Sequence, residues 1–207
     1  ETSRIGLIRR TWKTLKNWDS RWYYPATPLY VSDRAMANVP EYAVRAGKVP
    51  EGQILAAFII EAIPNDKWNF HADPLNPHAT AKFIEYTHEK YFSTVGGMFG
   101  KEIGAIFTDE SKYYGLTPWT PGMIEDFGRT YGYDLKPKLI HLFTNFNTPE
   151  SMRAKVDYRE WCSKRFEDAW VKPVSEWCGK HNLKLVGHMS PEEDPVQDFV
   201  GHDVVTT

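Results

Sequence analysis

Apolar runs of strand length alternate along this 207-residue chain with helix-like segments, and polar residues stand just past the ends of those runs. That alternation predicts an α/β fold, and since barrels and open sheets both carry polar residues just past their strand ends, a partial or compact (β/α)8 TIM-like barrel is taken as the expectation. Strands buried on both faces read as continuous apolar stretches, and such barrels carry their chemistry beyond the carboxyl ends of the strands. A complete barrel takes about 250 residues, and only three strands are clear in this sequence. The expectation is therefore one domain over residues 1–207 that forms part of a barrel.

The elements follow in order. Residues 1–50 are the least legible: Thr11 to Trp18 reads as a short helix, and Pro25, Pro28 and Pro40 break up the rest. Gln53 to Ile60 reads as a strand, with the turn residues Pro64-Asn65-Asp66 soon after. Asn76 as N-cap and Pro77 at the first helical position start a helix, with Ala79, Phe83, Thr87 and Tyr91 at helical spacing and Gly96, Gly97 and Gly100 ending it. Ile103 to Thr108 is an unbroken apolar run, so a βαβ rhythm emerges.

Thr120-Pro121 opens the next helix, whose apolar side holds Ile124, Phe127 and Tyr131 before Gly132 stops it. Thr148-Pro149 opens a longer one through Met152, Val156, Cys162, Phe166, Trp170 and Trp177, which Pro173 kinks or divides. Asn182 supplies a left-handed stop, and Leu183 to Val186 is a last buried strand ending at Gly187-His188. Asp194 to Thr207 is poor in apolar residues and reads as a loosely ordered end.

Bulk properties exclude several classes. A net charge of −2, with acids and bases intermixed, leaves no electrostatic footprint for nucleic acid or an anionic membrane. No apolar stretch reaches the roughly 18 residues of a membrane-spanning helix, and Glu1 to Arg10 lacks a signal-peptide apolar region. The start at Glu1 without a methionine suggests a processed product or part of a longer protein, whose remainder is then the expected partner. Cys162 and Cys178 lie sixteen positions apart in helix-like sequence, about 24 Å along the axis and too far for a disulfide. They read as buried thiols and leave the cellular compartment open. Aromatic residues make up 14% of the chain, with 8 Trp and 11 Tyr, an excess that favours a sugar ligand, whose apolar face stacks on such rings.

The sharpest chemical signal is Ile-Phe-Thr followed by Asp109 and Glu110. Acid-catalysed cleavage of a glycosidic bond needs a carboxylic acid to protonate the leaving oxygen and an opposing carboxylate as nucleophile or base. A glutamate at a buried strand end is rigidly aimed and partly desolvated, so Glu110 is the candidate acid, with Asp109 orienting it or binding substrate. The competing reading makes both the start of a solvated loop. Glu192 or Glu193 is the candidate second carboxylate. His188 occupies the matching rim position on the next strand, Tyr113, Tyr114 and Trp119 form a candidate stacking platform, and Asn76 is a further candidate substrate contact. His71, Asp73 and His78 invite a metal reading, but no H-E-x-x-H or paired C-x-x-C spacing occurs and no metal ligand is assigned. Calcium stays open as a cofactor, since its oxygen ligands need no fixed spacing. No phosphate-binding glycine loop between strand and helix and no G-x-S-x-G elbow is present.

Asp73-Pro-Leu-Asn-Pro, the run from Phe83 to Tyr91, Phe99 through Glu110, Pro118-Trp-Thr-Pro, Tyr131-Gly-Tyr-Asp-Leu and Leu183 through His188 together resemble large bacterial glycoside hydrolases of the α-L-rhamnosidase-like family 106. The resemblance is ordered along residues 70–190. It implies a (β/α)8 catalytic barrel acting on plant or microbial polysaccharide side chains, an acid at Thr108-Asp109-Glu110, inversion at the sugar and use of calcium. Such enzymes are several times longer than this chain, and their early barrel strands have no recognisable counterpart before residue 50. A partner carboxylate on a later strand would then lie outside the chain.

Overall fold

The computed structural model describes residues 3–8, 29–30, 57–62, 72–113, 117–143 and 148–189. The expected helix at Thr11 to Trp18, residues 53–56 of the first expected strand, and the Asp194 to Thr207 end lie outside the described residues. What is described falls into two compact units, one drawn from residues 63–121 and 159–207, the other from 3–62 and 122–158.

In the second unit, β1 (Ser3–Ile8) and β2 (Leu29–Tyr30) flank β3 (Ala57–Ala62) and both run antiparallel to it. The register sets Ile5 against Ile60 and Leu7 against Phe58, so apolar positions oppose apolar positions. The strand read at Gln53 to Ile60 thus exists over its second half, but its neighbours are antiparallel, which the parallel-barrel expectation did not foresee. Phe58 is fully buried and meets the Phe143 ring at 5.6 Å. Helix α3 (Met123–Tyr131) buries Met123, Ile124 and Phe127. It begins just past the expected Thr120-Pro121 start, with Gly122 at its N-cap, and ends at Gly132 in the left-handed conformation, as its sequence predicts. A short helix α4 (Leu139–Leu142) follows.

In the first unit, β4 (Ala105–Ser111) and β6 (Lys184–Met189) form a parallel pair. Helices α1 (Pro77–Tyr86) and α2 (His88–Val95) precede β4 in the chain. The sequence predicts one helix here, and Thr87 divides it: its hydroxyl donates to the Phe83 carbonyl at 2.5 Å, competing with the helical ladder. The two-residue strand β5 (Pro118–Trp119) lies later in the chain. Helix α5 (Pro149–Phe166) leads into a π-helical turn, Glu167–Val171, and then α6 (Lys172–Lys180). Pro173 explains the turn. Proline has no N–H for the usual i−4 carbonyl, and a one-residue widening of the ladder accommodates the loss without ending the helix.

Phe99, Val174, Trp177, Cys178, Leu183 and Leu185 form the buried core of this unit, and Ile106 packs against them. Burial alternates along β4: Ala105, Phe107 and Asp109 are exposed, while Ile106 and Thr108 are partly covered. One face of the pair is therefore plastered with helices. Cys162 and Cys178 are free and buried, and desolvation pushes the Cys178 thiol up to about 11. The (β/α)8 barrel is not shown: what the structure has is a helix-rich α/β arrangement with few strands, which includes the parallel β4–β6 pair.

Gly187 sits at φ +148°, and a Cβ built on it would lie 1.8 Å from the Thr108 carbonyl oxygen. Neither flexible side chain nor solvent can yield there, because the obstacle is backbone. We expect Gly187→Ala to cost ~4 kcal/mol or more in urea unfolding. A loss under ~1 kcal/mol would mean that the strand pair admits a side chain at this point.

Candidate active site

The registers of β4 and β6 run in step from Ala105↔Lys184 to Thr108↔Gly187 and resume at Ser111↔Met189. Between those points β4 has two residues, Asp109 and Glu110, and β6 has one, His188. This is a β-bulge, in which the longer strand bends and re-aims its side chains, and bulges concentrate beside active sites. The two acids and the histidine singled out from sequence are thus neighbours at the same end of adjacent parallel strands. The sequence reading ended the apolar run at Thr108 and set the acids at the strand end, with the start of a solvated loop as the competing reading. In the structure β4 continues through Ser111, so their backbone belongs to the strand.

Two features hold the bulge. The close approach of Gly187 to the Thr108 carbonyl brings the strands together just before it. Across it, the hydroxyls of Thr108 and Ser111 are 2.5 Å apart, one donating to the other, and they close the irregular stretch from within β4. Sequence reasoning passed over Ser111 and Gly187 as site components and took Thr108 only as part of the acid motif that the resemblance implies. The hydroxyls three positions apart, flanking two acids, were the available signal.

The other candidates have contacts of their own. Tyr113 is half-buried: its hydroxyl lies 3.3 Å from Ser163 Oγ and its ring meets Phe166 edge-on at 5.9 Å. Trp119 is half-buried in β5. Asn76 is the N-cap of α1, and its Oδ1 accepts from the His78 backbone N–H at 3.0 Å. Glu192, Glu193, His71 and Tyr114 lie outside the described residues. Among the described residues, no three His, Cys, Asp or Glu side chains gather as a metal cluster, and no helix is long and apolar enough to cross a membrane.

Asp73 gains a structural role. It is 3% exposed, its Oδ1 accepts from the Leu75 N–H at 3.0 Å, and its Oδ2 accepts from the Thr120 hydroxyl at 2.8 Å. Arg165 Nε donates to the Leu75 carbonyl at 2.9 Å, tying α5 to the same turn. A buried carboxylate thereby pins the segment after β5 to the start of α1. Burial raises the Asp73 pKa above 3.8, outweighing the bonds from Thr120 and Leu75 that favour the anion.

Glycoside hydrolase family 106, described as alpha-L-rhamnosidase, matches residues 63–202 of this chain. A rhamnosidase from Novosphingobium sp. PP1Y is structurally similar, with a TM-score of 0.54 and 22% sequence identity. That alignment covers 74% of this chain and 16% of the rhamnosidase, so the chain corresponds to a small part of that enzyme's length. At this identity the likeness speaks to fold. No curated protein matches the chain.

The Asp73 shift has a sign that can be checked. Below pH 3.8 the carboxyl is protonated in both folded and unfolded chains and its contribution to stability is complete. As pH rises through the higher folded pKa, the folded chain must bury an anion and that contribution is lost. The stability of the native chain relative to Asp73→Asn should therefore fall as pH goes from 4 to 7 in urea titrations. A difference that stays level, or grows, would show that the hydrogen bonds outweigh desolvation.

Proposed function

Because this chain belongs to glycoside hydrolase family 106, we propose that it supplies part of a (β/α)8 catalytic barrel that hydrolyses α-L-rhamnosidic bonds, with Glu110 as the general acid. The observation that carries this reading is the bulge that sets Asp109 and Glu110 against His188 at the carboxyl end of a parallel strand pair. In a barrel that end faces the substrate, and the exposed side of β4 carrying Ala105, Phe107 and Asp109 would face the interior.

In this reading Glu110 gives its proton to the glycosidic oxygen as the bond to the sugar's anomeric carbon breaks. Asp109 orients the acid or binds a sugar hydroxyl. His188, Trp119, Tyr113 and Asn76 line the sugar subsite. Water deprotonated by an opposing carboxylate attacks from the other face in the inverting course, which needs the two carboxyls roughly 6.5–9.5 Å apart. Glu192 is this chain's candidate for that carboxylate, and a residue from the remainder of a longer protein is the other. Calcium would take oxygen ligands such as the exposed Asp109 carboxylate. The described residues assemble no set of three carboxylates around it, so no step is derived through that ion.

A second reading follows from the share of the rhamnosidase that is covered, 16%: a carbohydrate-binding barrel segment that needs the rest of the enzyme for turnover. The two readings separate on aryl α-L-rhamnosides of graded leaving-group acidity, with and without calcium. A general acid matters most where the leaving oxygen is most basic. We expect Glu110→Gln to lower kcat/KM about 10²–10⁴-fold on a methyl rhamnoside and much less on a dinitrophenyl rhamnoside. Equal losses on both would remove Glu110 from the acid role. Rhamnose binding without turnover by the native chain would favour the binding reading.

A further inference from the structure

Two candidate sugar contacts of the first unit, Asn76 and Trp119, are both half-buried, and each is a chain neighbour of a residue bonded to Asp73. Thr120, which follows Trp119, donates its hydroxyl to Asp73 Oδ2 at 2.8 Å across 47 residues of chain. The other oxygen, Asp73 Oδ1, accepts from the N–H of Leu75, which precedes Asn76, at 3.0 Å. The Asp73 backbone carbonyl accepts from the Asn76 N–H at 3.1 Å and closes the turn. One residue thus holds the backbone at Asn76 and the side chain next to Trp119. Asp73, Leu75 and Thr120 are all buried, and Arg165 fixes the same turn from α5 through the Leu75 carbonyl.

Stability is a poor reason for a carboxyl group at this point. Burial disfavours its charged form more strongly than its two side-chain bonds favour it, so wherever Asp73 is ionised the fold bears a cost that an apolar side chain would avoid. What the group supplies is direction: two acceptors in one plane, each taken by a donor from a different segment. The residues it holds are complementary in kind. Asn76 Oδ1 is taken by the His78 N–H, which turns the side-chain nitrogen into the group that can donate to a sugar hydroxyl. Trp119 offers a ring face for the apolar side of the same sugar.

We propose that Asp73 is a positioning residue for the sugar subsite: through Thr120 it sets Trp119 in place relative to Asn76, so that ring and amide meet one sugar together. The inference rests on the reading of Trp119 and Asn76 as sugar contacts. Without the link both contact groups remain, but the cost of ordering them falls on each binding event, and affinity drops.

Titration of the 207-residue chain with L-rhamnose checks this. We expect Thr120→Val to raise the rhamnose Kd about 10-fold, and Thr120→Ser, which keeps the hydroxyl, to stay within about 2-fold of the native value. In a Trp119→Ala background Thr120→Val should add little, because a residue that acts through Trp119 has nothing left to position, whereas a purely structural loss would add in full. Native affinity in Thr120→Val, or a weakening that persists undiminished without Trp119, overturns the proposal and leaves the glycosidase reading standing. Absence of rhamnose binding by the native chain overturns both the proposal and the subsite on which it rests. If Thr120→Val does not fold, hydrogen exchange in the native chain decides. Saturating rhamnose should then slow exchange of the Leu75 amide, whose proton Asp73 accepts, and unchanged exchange overturns the proposal.

Discussion

At Gly187 a hydrogen stands where any other residue would place a carbon 1.8 Å from the Thr108 carbonyl oxygen. That missing atom lets β6 close on β4 at Thr108↔Gly187, and the bulge follows at the next step. The order matters physically. Two strands held tightly on one side of an irregularity and resumed at Ser111↔Met189 on the other leave the intervening residues little freedom. The Thr108–Ser111 hydroxyl contact removes more of it from within β4 itself. A general acid placed there, as proposed for Glu110, would gain from this, because a misplaced proton donor costs rate even when its chemistry is right.

The strand pair would not stand alone. Two strands are at best marginal in water and need a packed face to persist. Here the face is supplied by α6 and the segment of α1 and α2, and aromatic geometry carries much of the packing. Trp177 donates its indole N–H to Glu89 at 2.6 Å and stacks on His181 with centroids 4.0 Å apart. His88 meets the same indole edge-on at 5.0 Å, and Phe83 at 5.3 Å. Each such pair adds about 0.5–1.5 kcal/mol beyond simple burial. The imidazole of His88 thus sits in a shell that holds its ring plane.

Local signals in the sequence were legible wherever one residue decides the backbone. Asn76 and Pro77 start α1, Gly132 ends α3 in the left-handed conformation, and Asn182 adopts φ +58° where a stop was expected. Pro173 marked the break in the long helix, though its form as a π-helical turn depends on how the ladder relaxes around it. Pairing was not legible. Nothing within Ala57–Ala62 tells a parallel from an antiparallel neighbour, because that choice is made by distant segments. The same limit applied to the candidate site: the sequence marked Asp109, Glu110 and His188 separately, and their opposition across a bulge is a property of register.

The bulge also bears on the competing reading of Asp109 and Glu110 as a solvated loop. A loop would leave the backbone of both residues outside any strand pairing. The pairs Thr108↔Gly187 and Ser111↔Met189 constrain them from either side, and a bulge departs from regular alternation in a defined way, with two successive residues facing one partner residue. Regular pairing would give Asp109 and Glu110 opposite faces of the sheet. The extra residue lets the chain bend locally and change that presentation, at the expense of a regular ladder. The continuation of β4 through Ser111 therefore makes both acids strand residues rather than the start of a loop.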